Sequence, residues 1–248
     1  MAYGFIGAGR ITKAIVEGLD GGAEVFLSPR GRQVGQELAD RFPNVTVCPT
    51  NQAVADAASV VVLAVGASIT RDVLADLRFR PDHVVLCAVA GVSLTKLQDW
   101  TAPAAHVVRT IPMPQAAHRQ SRTALFPDHA AARELFEPLG GVIVAADEPM
   151  FDALTTATTT FAAHLDYLTT ITGWLTAHGV APDTAETYVR HLYAQVGQSL
   201  ATESLTDLAG EHTTPGGLNE QLLTDLRHHG VPDTVRRALD AIHARLGG

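Results

Sequence analysis

The chain has 248 residues, 46% hydrophobic and 18% charged, with a formal net charge of −8. That apolar fraction supports a packed core, and an acidic balance without a run of Lys or Arg argues against a nucleic-acid partner. No apolar stretch reaches the roughly eighteen residues a membrane span needs, and the opening residues lack the segments of a signal peptide.

The only cysteines, Cys48 and Cys87, fall in or beside apolar runs and read as buried thiols, a single pair that establishes no disulfide framework. A soluble, reduced, cytoplasmic protein is the expectation.

In chain order, strands are predicted at Ala2–Ile6, Glu24–Leu27, Val45–Cys48, Ser59–Val65, His83–Ala88, His106–Thr110 and Val142–Val144. Helix-length segments such as Ile11–Leu19 and Gln33–Arg41 lie between them. Val60 to Val65 is apolar without alternation, as a strand covered on both faces should be. Strand and helix in turn predict βαβ units and a mainly parallel sheet. After about Asp147 the texture becomes helical. Long helices are expected from Met150 to His178, Pro182 to Ser204, Pro215 to Gly230 and Asp233 to Leu246, with Gly179 and Pro182 as stop signals. The predicted fold class is α/β: a doubly wound domain over residues 1–147, then an all-α domain over residues 148–248.

Gly7-Ala8-Gly9-Arg10-Ile11-Thr12 follows the first strand and opens the first helix. Gly7 permits a tight turn, Gly9 lets backbone approach a pyrophosphate, and the helix N-terminus offers free N–H groups. Thr12 replaces the third glycine of this pattern. A glycine turn with no ligand is the alternative. Past the second strand stands Ser28-Pro29-Arg30-Gly31-Arg32, where an NAD-binding chain places an acid for the ribose hydroxyls. Guanidinium groups suit a 2′-phosphate instead, so NADPH is expected rather than NADH, with Ser28 and Arg30 as main contacts and Arg32 as a third. The alternative is that these arginines are solvated loop charges. Small residues after two later strands, Ala64-Val65-Gly66 and Ala88-Val89-Ala90-Gly91, fit the rim of a cofactor crevice.

These segments, with Thr213-Thr214-Pro215-Gly216-Gly217 near the C-terminus, resemble the pyrroline-5-carboxylate reductase family over nearly the whole chain. Gly4 to Gly9, Leu63-Ala64-Val65, Ala90-Gly91-Val92 and Val108 to Pro112 match its motifs in order. The resemblance implies a Rossmann domain, a helical bundle that intertwines with a second subunit, and reduction of a C=N bond by NAD(P)H. It implies cofactor contacts at Gly7, Gly9, Arg10, Ile11, Ser28, Asn51, Ala64, Val65, Ala88 and Ala90.

Departures fall in the family's substrate segments. Gly66-Ala67 stands for a Lys-Pro pair, and Pro112-Met113-Pro114-Gln115 for Pro-Asn-Thr-Pro. Thr158 to His164 stands for Ser-Gly-Ser-Gly-Pro-Ala-Tyr, and Leu218-Asn219 for two hydroxyl residues. The expected substrate is therefore a small, cyclic imine, with or without a carboxylate.

Hydride addition is fastest when the imine nitrogen is protonated, so a donor is needed beside it. Thr158, Thr160, His164 and Asn219 are the candidates, with Tyr167 as an outside one. The threonines can instead bond back to helix carbonyls, His164 can be a polar helix position without chemistry, and Asn219 can cap a helix. The histidines show no paired metal spacing, so no metal is expected. Two other readings stand beside this one: a carbonyl-reducing dehydrogenase on the same scaffold, and a non-catalytic NADPH-binding regulatory protein.

Overall fold

A computed structural model describes residues 1–247, which divide into two units. The first holds residues 1–155 and the end of the chain from residue 243; the second holds residues 156–242. The division falls a full two helical turns beyond the 147/148 boundary expected from texture alone, inside a helix.

The first unit opens with β1 (Ala2–Ile6), α1 (Arg10–Leu19), β2 (Glu24–Leu27), α2 (Arg32–Arg41), β3 (Val45–Val47) and α3 (Asn51–Ala57). It continues through β4 (Val60–Leu63), α4 (Thr70–Ala75), β5 (Val84–Cys87), α5 (Leu94–Thr101) and β6 (His106–Ile111). It closes with β7 (Thr123–Phe126), α6 (Ala130–Phe136), β8 (Val142–Val144) and α7 (Glu148–Thr158), which carries the chain across the division. The strands form one sheet in the order β3-β2-β1-β4-β5-β6-β7-β8. Pairing is parallel from β3 to β6, β7 runs antiparallel to β6, and β8 runs parallel to β7.

Both faces of this sheet are covered, which explains the lack of alternation in β4. Val60 and Val62 pack with Phe5, Ile15, Leu86 and Phe136 on one face. Val61 and Leu63 pack with Ile6, Val54, Val85 and Leu97 on the other. Each such aliphatic side chain contributes roughly 1.5–3 kcal/mol when fully buried. The chain winds outward from β1 to β3 and then returns to β4, so a crevice opens at the carboxyl ends of β1 and β4.

Two expectations change here. The strands expected to end at Cys48, Val65 and Ala88 end one or two residues earlier, although Ala64 still donates its N–H to Ile6 at 2.9 Å and Ala88 to Leu63 at 2.8 Å. β7 was not foreseen: four residues ending before Pro127 carry too short a pattern to be read.

The second unit contains α8 (Thr160–Ala177), α9 (Pro182–Ser199), α10 (Leu205–Glu211) and α11 (Leu218–His228); α12 (Val231–Leu246) begins in it. The helix expected from Met150 to His178 is two helices, α7 and α8. The interruption lies in the threonine run, where Thr159 turns both its N–H and its hydroxyl to the Thr156 carbonyl, at 3.0 and 2.7 Å. Such back-bonding bends helices. The helix expected to reach Ser204 stops at Ser199, and Ser204 caps α10 by accepting from Asp207 N–H at 3.1 Å. Pro232 lies in the first turn of α12, where its missing donor costs nothing.

The second unit buries little of its apolar surface. α8 has no buried residue, and Phe161, Leu165, Trp174, Tyr188, Leu192 and Leu222 are all exposed. No helix of the described residues is long and apolar enough to cross a membrane.

Candidate functional site

The turn between β1 and α1 is fixed from three sides. Gly7 sits at φ +106°, and a Cβ there would run into the Ala64 carbonyl at the end of β4. Its N–H donates to Ser28 Oγ at 2.9 Å, and its carbonyl accepts from Thr12 Oγ1 at 2.5 Å. Thr12 is wholly buried; in place of a third glycine it ties the helix to the turn. Gly31, at φ +86°, lies so close to Ala8 that a side chain would strike the Ala8 carbonyl. The loop after β2 is thereby seated against the glycine turn.

The consequence is an open anion site. Gly9 caps α1 without any side-chain bond, the first turn holds no acid, and the space above Gly9 is clear. Arg10 is exposed and Ile11 half-buried beside it. The first-turn amides and the positive end of the helix point at that space. Lys13 takes no part, because its ammonium is engaged by Glu37 at 2.5 Å, which holds the Glu37 carboxyl below its usual range.

Arg30, Arg32 and Asn51 come together. They line one cleft of about 500 Å³ with Pro29, Ile69, Asp72, Val73 and Asp76, of which Asp72 and Val73 lie on α4 and Asp76 directly follows it. The α4 side of this cleft was not foreseen, since neither its length nor its composition signals a ligand. Asn51 opens α3 behind Thr50, whose side chain accepts from Ala53 N–H at 3.0 Å. Ser28 differs from the expectation. It is 1% exposed and its hydroxyl oxygen serves the Gly7 amide, so it supports the turn from below. Ala64, Val65 and Ala88 are half-buried and Ala90 is exposed, at the carboxyl ends of β4 and β5.

A pyrophosphate fits this arrangement on two counts: the cradle over Gly9 stays empty only because no Cβ fills it, and the helix amides behind it have no side-chain acceptor. The adjoining cleft, lined by two arginines, two aspartates and Asn51, has the polar groups to receive the adenosine end of a dinucleotide.

The polar groups expected in the helical unit are only partly assembled. His164 on α8 lies 6.4 Å from Tyr167 and 5.8 Å from Tyr193 on α9, ring centre to ring centre. Tyr193 was missed; nothing in sequence marks a residue 29 positions away as a neighbour of His164. Its phenol is pushed up to about 12, mainly by burial and then by its hydrogen bond with Tyr167. Thr160 donates its hydroxyl to the Ala157 carbonyl at 2.8 Å, the back-bonding alternative. Thr158 belongs to the same threonine run at the end of α7. Asn219 donates to the His212 carbonyl at 2.9 Å, and Glu220 accepts from Gly216 N–H at 2.6 Å. The Thr-Pro-Gly-Gly element is thus a staple that starts α11. Asn219 lines a separate small cleft with His212, Thr214 and Gly217. No group of three or more metal-ligating side chains occurs among the described residues.

Comparison with known proteins gives the same pattern. Residues 2–91 match a family described as NADP oxidoreductase, coenzyme F420-dependent. Pyrroline-5-carboxylate reductase of Pisum sativum is 28% identical, over 98% of this chain and 93% of its own. The solved 1-pyrroline-5-carboxylate reductase of Streptococcus pyogenes superposes with a TM-score of 0.84 at 23% identity, covering 99% of this chain and 98% of that one. The Plasmodium falciparum enzyme, solved with NADP bound, superposes at 0.80 with 15% identity over 99% and 97%. With its dinucleotide turn, its two-unit fold and its match to relatives of one name, the chain is similar to pyrroline-5-carboxylate reductases over nearly its whole length.

Proposed function

We propose that this chain is an NADPH-dependent imine reductase acting on a small cyclic imine. The observation that carries the proposal is the rigid Gly7 turn, which aims the uncapped amides of α1 at an anion while the Arg30–Arg32–Asn51 cleft adjoins it. Likeness to pyrroline-5-carboxylate reductases over nearly the whole chain supports the reaction class. When bound, NADPH supplies the hydride that reduces the imine carbon.

The protein's own residues do the rest. Gly7, Gly9, Arg10 and Ile11 hold the pyrophosphate, and Arg30 with Arg32 meets the 2′-phosphate with paired donors. Asn51 bonds to the adenosine portion, while Ala64, Val65, Ala88 and Ala90 offer flat, small-residue backbone to the nicotinamide half. In the helical unit, His164 is the proton donor to the imine nitrogen, its ring lying against Tyr167 and Tyr193. Tyr193 and Tyr167 orient that ring by packing their own rings beside it. Thr158 remains a polar contact for substrate. Thr160 and Asn219, whose donors are committed to backbone carbonyls, take no part in the chemistry.

The exposed apolar side chains of α8, α9 and α11 support a homodimer formed through the helical unit, because so much apolar surface rarely stays in water. Two buried free thiols are in keeping with a cytoplasmic setting.

The test is a panel of cyclic imines, with and without a carboxylate, beside 2-oxo acids, each followed by loss of NADPH absorbance. Turnover of imines supports the proposal. Turnover of oxo acids alone points to a carbonyl-reducing dehydrogenase, and NADPH binding without any turnover to a regulatory protein.

A further inference from the structure

Arg109, on β6, is the largest fully buried side chain of the described residues, 2% exposed. Its guanidinium meets two carboxylates of α7: Glu148 at 2.7 Å and Asp152 at 2.7 Å. The ring of Phe151 lies under it, 4.5 Å from its central carbon, and its Nε is buried without a partner. Taking charges out of water costs several kcal/mol per ion, and an apolar cluster of equal volume often does as well or better for stability. Such a cluster therefore calls for a role beyond holding β6 to α7.

The role is visible on Glu148. The same Oε1 that Arg109 grips also accepts the Leu94 N–H at 2.6 Å. Leu94 is the first residue of α5, so Glu148 caps that helix from a distant part of the chain, beside the local cap Ser93. The segment pinned at Leu94 begins at Ala88, as β5 ends, and includes Ala90 and the left-handed Gly91 at φ +80°. One end of this loop is anchored in the sheet. The other end is anchored by a carboxylate that a buried cation immobilises.

We infer that Glu148, held by Arg109, is a positioning residue that sets the Ala88–Leu94 loop against the nicotinamide half of the cofactor. The inference rests on the reading of NADPH as that cofactor. The adenosine end is served by Arg30, Arg32 and Asn51, after β2 and β3, on the far side of β1 from this cluster. Disturbing Glu148 should therefore separate the two halves of the ligand.

The experiment is calorimetry on full-length protein with two ligands, NADPH and 2′,5′-ADP, which carries only the adenosine half. In E148A, NADPH affinity falls by about tenfold, the effect of losing one charge-assisted hydrogen bond, while 2′,5′-ADP stays within about twofold of the original. Hydrogen exchange at the Leu94 amide accelerates in the same variant, with no ligand present. E148Q, which keeps an acceptor oxygen but not the charge, shows the same split at smaller size and carries the test should E148A fail to fold. Equal losses on both ligands, or an unmoved NADPH affinity, overturn the inference. Failure of the unsubstituted protein to bind NADPH at all sinks the cofactor reading instead, so the two failures are distinct.

Discussion

Ser28→Ala tests how the dinucleotide turn is built. The substitution deletes the oxygen that accepts the Gly7 N–H at 2.9 Å and leaves a methyl in a site only 1% exposed, so nothing else refills it. A buried amide without an acceptor costs about 1–3 kcal/mol; Gly7 itself is half-buried, which places the loss at about 1–2 kcal/mol. At roughly 2–4 °C per kcal/mol for a unit of this size, the melting temperature falls by roughly 2–8 °C. Because the damage is to the turn that both cofactors share, NADPH and NADH weaken by the same factor. Arg30→Asp is the counterpart: Arg30 is exposed, so the melting temperature holds while NADPH loses about tenfold more affinity than NADH. Thermal melts and titration calorimetry with both nucleotides read the two variants. If Ser28→Ala melts normally and loses only NADPH, Ser28 is a phosphate contact and its supporting role is refuted.

His83 is buried, accepts the Arg80 N–H through Nδ1 at 3.1 Å, and lies edge-on to Phe79. Burial first, and then Arg80, holds its pKa below the usual histidine value, and His129 is shifted the same way, mainly by burial. With the folded value depressed, the unfolded chain binds the proton more readily, so stability is full above the ordinary histidine range and declines as pH drops through and below about 6.5. His83→Asn, which keeps an acceptor, should flatten that decline in denaturant titrations; an unchanged slope would remove His83 as its source. Burial pushes the Cys87 thiol up to about 11 and raises Cys48 as well, so neither should alkylate at pH 8 until the protein is unfolded. Rapid labelling of native Cys87 contradicts this environment. Finally, the protein should sediment as a dimer, and Leu165→Glu, on the bare face of α8, should release monomers; a monomeric parent protein ends the dimer reading.

Local chemistry was legible where the residues that act are neighbours in the chain. Gly7 and Gly9 announce a turn with special backbone needs, the unbroken apolar run of β4 announces a strand covered twice, and the arginines after Ser28 announce a polar loop at the end of β2. Each of these rests on steric or charge requirements that a few consecutive residues satisfy alone, so order along the chain was enough to reveal the sheet, the helical half and the resemblance to pyrroline-5-carboxylate reductases. Thr12 shows the limit of that method. As a missing third glycine it looked like a weakened motif, whereas in the fold its hydroxyl closes the turn by donating to Gly7.

What tertiary structure alone decided are partnerships between distant residues. Ser28 belongs to Gly7 and not to solvent, Tyr193 joins His164, Glu148 joins Arg109 and Leu94, and α4 shares a cleft with Arg30. The break between α7 and α8 is of the same kind, because threonines that are passable helix formers one by one divert their hydroxyls to carbonyls only once the helix exists. Hydrogen bonds and ion pairs act over about 3 Å, a distance that sequence separation does not encode, so the pairing of these groups emerged only when the sheet and helices were in place.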